Sequence, residues 1–136
     1  MLIYADGAAL ARALTEEPES AAWRLLVSER EDDLVTSPLG LTELRRLADP
    51  LGPQARTAAR ELAERIVVVR FSDQSLKSAA MASSVASPFT AIHIGIAVAH
   101  PDVDTVATYD GLLARLAVIY GLQVLSPGRR AGWWEE

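Results

Sequence analysis

Short apolar segments alternate with helix-like segments along the whole chain, and this alternation limits the possible folds more than any other feature. Five runs have the length and the β-branched content of strands, namely Leu2 to Ala5, Asp33 to Ser37, Ile66 to Arg70, Thr105 to Thr108 and Gln123 to Leu125. Strands that are separated by helices run parallel in one sheet. We therefore predict an α/β fold, a three-layer sandwich whose central parallel sheet of four to five strands is flanked by helices. The continuous run IVVVR predicts a strand that is buried on both faces.

The segments between these runs have the periodicity and end signals of helices. They are AALARAL, Glu16 to Arg30, Pro38 to Ala48, Pro53 to Glu64, SLKSAAMASSV, SPFTAIHIGIAVAH and Asp110 to Tyr120. In the second of them we expect Ala22, Leu25 and Leu26 to face the core. The length of 136 residues fits one compact domain. We assign residues 1–128 to that domain and 129–136 to a C-terminal tail, whose paired tryptophans dock on the body or on a partner.

The composition excludes several kinds of chemistry. The chain has no cysteine, so disulfides, thiolate metal sites and a cysteine nucleophile are ruled out. No apolar run reaches the roughly 20 residues that cross a membrane, and the N-terminus does not resemble a secretory signal, so we expect a cytoplasmic protein without membrane contact. The net charge of -5 creates no general attraction for nucleic acid. An RNA partner would therefore need a local basic patch or a bound cation.

Three acids lie where a metal site would form in such a sheet. Asp6 follows the first predicted strand and Asp110 the fourth, and parallel strands would bring both to one edge. Glu43 lies among leucines in a predicted helix and could point toward the same edge. Carboxylate oxygens suit Mg²⁺ or Mn²⁺. The residues alone leave the alternative open that the two aspartates cap helices and that Glu43 is a surface or ion-paired residue.

Four sequence blocks, in this order and spacing, resemble the PIN-domain ribonucleases, specifically the VapC type of bacterial toxin. The blocks are LIYADGAALARALTEEPES, TSPLGLTELRRL, SPFTAIHIGIAVAH and DTVATYDGLLARLAVIYGLQVLSPG, which together span nearly the whole chain. The resemblance implies a PIN-like fold, a cluster of acids that binds Mg²⁺ or Mn²⁺, and cleavage of structured RNA such as tRNA or ribosomal RNA. It also implies inhibition by a VapB-like antitoxin and a homodimer.

Matched position by position, Asp6, Glu43 and Asp110 take the places of three family acids, and the resemblance makes them the catalytic residues and the metal ligands. The reaction would be metal-assisted phosphodiester hydrolysis. Two positions depart from the family pattern. Thr90 stands where the family has an Asp, and Ala8 stands where a Ser or Thr is common. We therefore expect weakened, metal-demanding activity, and the alternative is a catalytically silent PIN-fold module that pairs with an antitoxin.

Five further residues are candidates for the neighbourhood of the site. Thr90, His93 and Thr108 would lie near the acids, and Arg45 and Arg46 would meet a substrate phosphate. Four of them have a structural alternative. Thr90 could be a helix cap, His93 a hydrogen-bonded core residue, and the arginines part of a solvated helix face.

Overall fold

A single parallel sheet of five strands forms the centre of the computed structural model, which describes all residues, 1–136. The strands are β1 (Leu2–Ala5), β2 (Leu34–Thr36), β3 (Val67–Val68), β4 (Val103–Ala107) and β5 (Gln123–Leu125). Their order across the sheet is β3-β2-β1-β4-β5, and every neighbouring pair is parallel. The predicted α/β class and the parallel sheet are confirmed. Because all five strands run the same way, their carboxyl ends share one edge of the sheet.

Seven helices connect the strands. They are α1 (Gly7–Leu10), α2 (Ser20–Arg30), α3 (Pro38–Ala48), α4 (Pro53–Arg65), α5 (Asp73–Ala82), α6 (Pro88–Ala99) and α7 (Gly111–Ile119). Short 3₁₀ turns cover Ala11–Leu14, Glu31–Asp33, Asp49–Leu51 and Trp133–Glu135. The segment AALARAL is thus one α-turn followed by a 3₁₀ turn. None of the helices combines the length and the apolar character that crossing a bilayer requires.

The helices form a layer on each face of the sheet. Side chains of α1 to α4 share a core with Ile3 and Ala5 of β1. Side chains of α5 to α7 share a second core with Tyr4 of the same strand. Successive side chains of a strand point to opposite faces, so β1 contributes to both cores and is covered on both sides. The fold is therefore a three-layer sandwich in which the buried Tyr4 faces α6.

Helix α6 has more buried residues than any other helix. Six of its 12 residues are buried, and His93 is among them. A glycine at position 95 makes this possible, because a Cβ there would lie 2.4 Å from the backbone oxygen of Ser75 in α5. The backbones of α5 and α6 are consequently in near contact at this point.

Three predictions about individual elements were wrong. The run at Ile66 to Arg70 contains only a two-residue strand at the edge of the sheet, and Val67 is 58% exposed, so this strand is not buried on both faces. Leu25 is 59% exposed, whereas Trp23 of the same helix is fully buried. The helix predicted from Glu16 begins at Ser20, because the Ser20 hydroxyl accepts from the Glu17 amide and closes a turn before the helix.

The C-terminal tail packs against the body of the domain. Arg129 donates to the Glu19 carboxylate through Nε at 3.1 Å and through Nη2 at 2.9 Å. Its guanidinium lies 5.4 Å from the ring centre of Tyr109 and 4.4 Å from that of Trp133. Arg115 of α7 donates from Nη1 to the Trp134 backbone oxygen at 2.9 Å, so of the two alternatives for the tryptophans the structure has docking on the body.

The Arg129 contact predicts a pH-dependent contribution to stability. Burial acts to raise the pKa of Glu19, but the Arg129 hydrogen bonds and charge outweigh it and lower the pKa. The unfolded value is about 4.3, so the stabilisation is complete above that pH and is lost as the pH falls through the lower folded value. We expect Glu19→Gln to cost about 1 kcal/mol at pH 7 and the gap to the parent to close in acid. Urea unfolding of both proteins at several pH values measures this, and a constant gap would contradict it.

Candidate functional site

Asp6 lies at the carboxyl edge of the sheet and is held there by two neighbours. It follows β1 directly and caps α1, with its Oδ1 accepting from the Ala9 amide at 2.8 Å. Its Oδ2 accepts from the Thr108 hydroxyl at 2.6 Å. Thr108 reaches Asp6 because β1 and β4 are adjacent and in register, with Ala5 opposite Ala107. The prediction that Thr108 lies beside the acids is therefore consistent with its position.

Glu43 approaches Asp6 from α3. This helix begins at the cap Ser37, directly after β2, and runs past α1. Glu43 Oε1 accepts from the Gly7 amide at 3.0 Å. A Cβ on residue 7 would lie 2.3 Å from the Glu43 Cβ and 2.6 Å from the Gly40 carbonyl oxygen, so glycine is required for this approach. We call Asp6 and Glu43 the acidic pair.

His93 connects Glu43 to the core through a chain of hydrogen bonds. Its Nε2 lies 2.7 Å from Glu43 Oε1, and since a carboxylate only accepts, Nε2 carries the proton and donates. Its Nδ1 lies 2.7 Å from the Tyr4 hydroxyl, which also lies 2.7 Å from Ser37 Oγ. Burial raises the pKa of the Tyr4 phenol, so this hydroxyl stays protonated. His93 is thus both a hydrogen-bonded core residue and a direct neighbour of the acidic pair.

Thr90 lies one turn before His93 on the same face of α6, because residues three apart on a helix are neighbours. The helix cap is Ser87, whose Oγ accepts from the Thr90 amide at 3.3 Å, so the alternative that Thr90 itself is the cap is wrong. The Thr90 hydroxyl accepts from Ser87 Oγ, also at 3.3 Å. Thr90 is only partly buried. Position 90 therefore offers a neutral oxygen on the side of α6 that carries His93.

Asp110 is close to the acidic pair along the backbone, but its carboxylate serves α7. Its amide donates to the Thr108 hydroxyl at 3.0 Å, and that hydroxyl in turn donates to Asp6. Its Oδ1 accepts from the amides of Leu112 and Leu113, and the residue is exposed. Asp110 is thus the cap of α7, as the alternative interpretation has it. Its role as a metal ligand stays a prediction.

The electrostatics of the two buried acids differ. Burial raises the pKa of the Asp6 carboxyl above its ordinary value, and the Thr108 hydrogen bond and the positive charge of His93 only partly oppose this. The nearby Glu43 carboxylate adds to the increase. Burial also acts to raise the pKa of Glu43, but the hydrogen bond and charge of His93 and the Gly7 amide outweigh it and lower the pKa. The pKa of Asp6 is thus raised mainly because its carboxyl is buried, whereas the pKa of Glu43 is lowered by its hydrogen-bond partners.

The acidic pair offers carboxylate oxygens, the ligand type that a hard divalent cation takes, but fewer of them than predicted. No group of three His, Asp, Glu or Cys side chains is arranged to hold one ion. Glu43 Oε1 nevertheless accepts from the amide of Gly7, the residue after Asp6, and neither acid forms an ion pair with a Lys or Arg. Mg²⁺ commonly binds through one or two carboxylates and completes its shell with waters and substrate phosphate. Metal binding by Asp6 and Glu43 stays a prediction.

Arg45 and Arg46 are both exposed and form no ion pair. Arg45 faces α4, away from the acidic pair, whereas Arg46 follows Glu43 by three residues and lies on its side of α3. Arg46 is thus the better placed of the two to meet a phosphate at the acidic pair.

Sequence reasoning missed three residues that build the site, namely Tyr4, Gly7 and Ser37. A tyrosine in a short apolar strand is a usable signal, because a buried phenol needs a hydrogen-bond partner. Nothing local to Gly7 or Ser37 distinguishes them from ordinary turn and cap residues.

Comparison with known proteins assigns no function to this geometry. The sequence matches no protein-family model, and a search of curated proteins finds no match. The contacts described above and the resemblance of the four sequence blocks therefore carry the functional argument.

Proposed function

We propose that this chain is a VapC-type PIN-domain toxin, an Mg²⁺- or Mn²⁺-dependent endoribonuclease of structured RNA such as tRNA or ribosomal RNA. The observation that supports this best is the acidic pair, two carboxylates without a Lys or Arg partner, one at the carboxyl edge of the sheet and the other bonded to the amide of the next residue, Gly7. Weakened activity follows from Thr90, which supplies a neutral oxygen in place of the acid in the family pattern.

The residues around the acidic pair have distinct parts in this proposal. Asp6 and Glu43 would bind the ion, and metal binding would polarise the scissile phosphate and lower the pKa of a coordinated water. Thr108 fixes the rotamer of Asp6, and His93 fixes that of Glu43. Such hydrogen bonds keep ligand oxygens oriented and are a large part of metal affinity. Arg46 would contact a substrate phosphate from the same side of α3.

The partners in this proposal are a VapB-like antitoxin and a second copy of the chain. Both rest on the sequence resemblance. Exposed apolar side chains in the helical layers, such as Leu25 of α2 and Ile119 of α7, are compatible with helix-mediated contacts. Gel filtration of the protein alone and with a candidate antitoxin tests both.

The proposed activity is tested by incubating the purified protein with total RNA in Mg²⁺, in Mn²⁺ and in EDTA. We expect slow cleavage that is faster in Mn²⁺ and absent in EDTA. Asp6→Asn should lose the activity, because it removes a metal-binding charge while its side chain can still cap α1. Cleavage that persists in EDTA or in Asp6→Asn would point to a contaminating nuclease and contradict the proposal.

A catalytically silent module that binds an antitoxin is the second candidate. It is favoured by the absence of a three-residue ligand group and by the Asp110 carboxylate, which is engaged as a helix cap. This candidate predicts no cleavage with any divalent cation, together with tight antitoxin binding. Isothermal titration with Mn²⁺ adds a readout that does not depend on turnover, since binding lost in Asp6→Asn indicates a metal site even in an inactive protein.

A further inference from the structure

Three arginine side chains converge on a depression between α3 and α4, outside the acidic pair. The cavity has a volume of about 260 Å³ and is lined by Arg45, Ala48, Asp49, Arg56, Ala59 and Arg60. We call it the arginine notch. Its floor is formed by Ala48 and Ala59, which are each 1% exposed. Because the alanine side chains are small, α3 and α4 pack closely at this point. The longer arginine side chains surround the open space above the two alanines.

The positions of the arginines are set by the two helices. Arg56 and Arg60 are four residues apart on α4, so they lie on one face of that helix. Arg45 approaches from the last turn of α3. Arg56 is anchored, since its Nη1 donates to the backbone oxygen of Asp49 at 2.9 Å. This bond uses one of the five N–H donors of the guanidinium and leaves the others for a ligand.

The charge in the arginine notch is not neutralised by the protein. Asp49 is the one acidic residue in its lining, and none of the three arginines forms an ion pair. Six of the twelve arginines pair with a carboxylate, and the three arginines of the notch are among the six that do not. Like charges four residues apart on a helix repel. In a chain with a net charge of -5, such a grouping favours an anionic ligand.

We propose that the arginine notch binds a backbone phosphate of an RNA strand, as an anchoring point separate from the acidic pair. Guanidinium groups bind phosphate oxygens through paired hydrogen bonds, and several around one cavity suit a tetrahedral oxyanion. The notch lies across α3 from Glu43, because Arg45 is two residues further on and projects from nearly the opposite side. The separation is about one helix diameter, roughly 10 Å. The anchored phosphate therefore belongs to a nucleotide a few positions away from the cleaved bond.

This inference rests on the proposed function only in taking RNA as the partner, and its test measures binding without cleavage. The full chain is titrated with a fluorescent single-stranded RNA in EDTA, at several salt concentrations, and the anisotropy is recorded. We expect Arg56→Gln with Arg60→Gln to weaken binding about tenfold. The slope of log affinity against log salt should fall by about 1.4, since each lost phosphate contact on a single strand contributes about 0.7.

The matched control is Arg70→Gln with Lys77→Gln. It removes the same charge from two exposed residues that lie outside the notch and form no ion pair. We expect it to bind RNA within about twofold of the parent, and circular dichroism checks that both variants fold. Equal weakening in the two double variants, or no RNA binding by the parent, would overturn the proposal.

Two competitors identify the ligand. Inorganic phosphate at constant ionic strength should displace RNA only weakly, because a strand makes further contacts. If a polyglutamate peptide binds the parent as tightly as RNA does and loses that binding in Arg56→Gln with Arg60→Gln, the notch is a site for acidic protein and the proposal fails.

The outcome for the notch is separable from the outcome for the nuclease. If the protein cleaves RNA in Mn²⁺ but its RNA binding does not depend on the notch, the notch proposal is contradicted and the proposed function stands. If RNA binding depends on the notch but no cleavage occurs, the notch proposal stands and the protein is a catalytically silent RNA-binding protein.

Discussion

Thr90→Asp is expected to increase the rate of metal-dependent RNA cleavage by about 10- to 100-fold. Metal affinity or activity changes by a factor of this size when a group that supports a metal site is gained or lost. The new carboxylate would lie on the side of α6 that carries His93, beside the acidic pair. Mg²⁺ depends on direct carboxylate contacts because it gives up water reluctantly, so a third acid should matter most when Mg²⁺ rather than Mn²⁺ is supplied. Initial cleavage rates, measured over a range of metal concentrations, test the expectation.

Two variants separate added charge from other effects of this substitution. Thr90→Asn has the same shape as Thr90→Asp without the charge and should stay at the parent level. Thr90→Asp combined with Asp6→Asn should lose the gain, because the new acid needs its partner. If the parent, Thr90→Asp and Thr90→Asn all fail to cleave RNA, the silent-module candidate is favoured instead.

His93→Ala is expected to lower the free energy of unfolding by about 2–4 kcal/mol, the largest effect on stability among the site residues. The imidazole is 3% exposed and links the Tyr4 hydroxyl to Glu43, with 2.7 Å at each contact. Its removal leaves a cavity and takes from Glu43 the partner that lowers its pKa. Urea unfolding at pH 7 gives the change in stability, and NMR titration of the Glu43 carboxyl should show its pKa rising.

The second histidine of the chain provides the matched control. His100 lies at the end of α6 and accepts from the Asp102 amide at 3.1 Å in an exposed contact. We expect His100→Ala to change stability by no more than about 0.5 kcal/mol. Tyr4→Phe should fall between the two, because it removes one hydroxyl and leaves the ring packed. A His93→Ala variant as stable as His100→Ala would show that the hydrogen-bond chain contributes nothing.

The elements that sequence reasoning located best are those with explicit local end signals. Helix α3 was predicted at Pro38 to Ala48 and has those bounds, because Ser37 caps it and Pro38 occupies its first turn. At β3 such reasoning failed. A β-branched run looks the same in a central and in an edge strand, and only the position in the sheet decides how much of it is exposed.

The sequence predicted those parts of the candidate site that follow from strand and helix positions. It did not predict contacts between residues that are far apart in the chain. The strand ends predicted Asp6 and Asp110 at one edge because parallel strands share it, and Thr108, two residues before Asp110, contacts Asp6 there. The hydrogen bond from His93 to Glu43 joins residues 50 positions apart, so no local sequence pattern predicts it. The orientation of Asp110 was also open, since an Asp after a strand can either cap the next helix or turn toward a ligand, and both share the same sequence signature.

The shortness of β3 limits how this protein can associate. Strand β3 has only two residues, so this edge of the sheet offers a neighbouring chain too few free amides and carbonyls to form a stable intermolecular β-sheet. Extension of the sheet from that side, whether into a shared dimer or into fibrils, is thereby discouraged. Association on that flank of the molecule is consequently left to side chains rather than to backbone pairing.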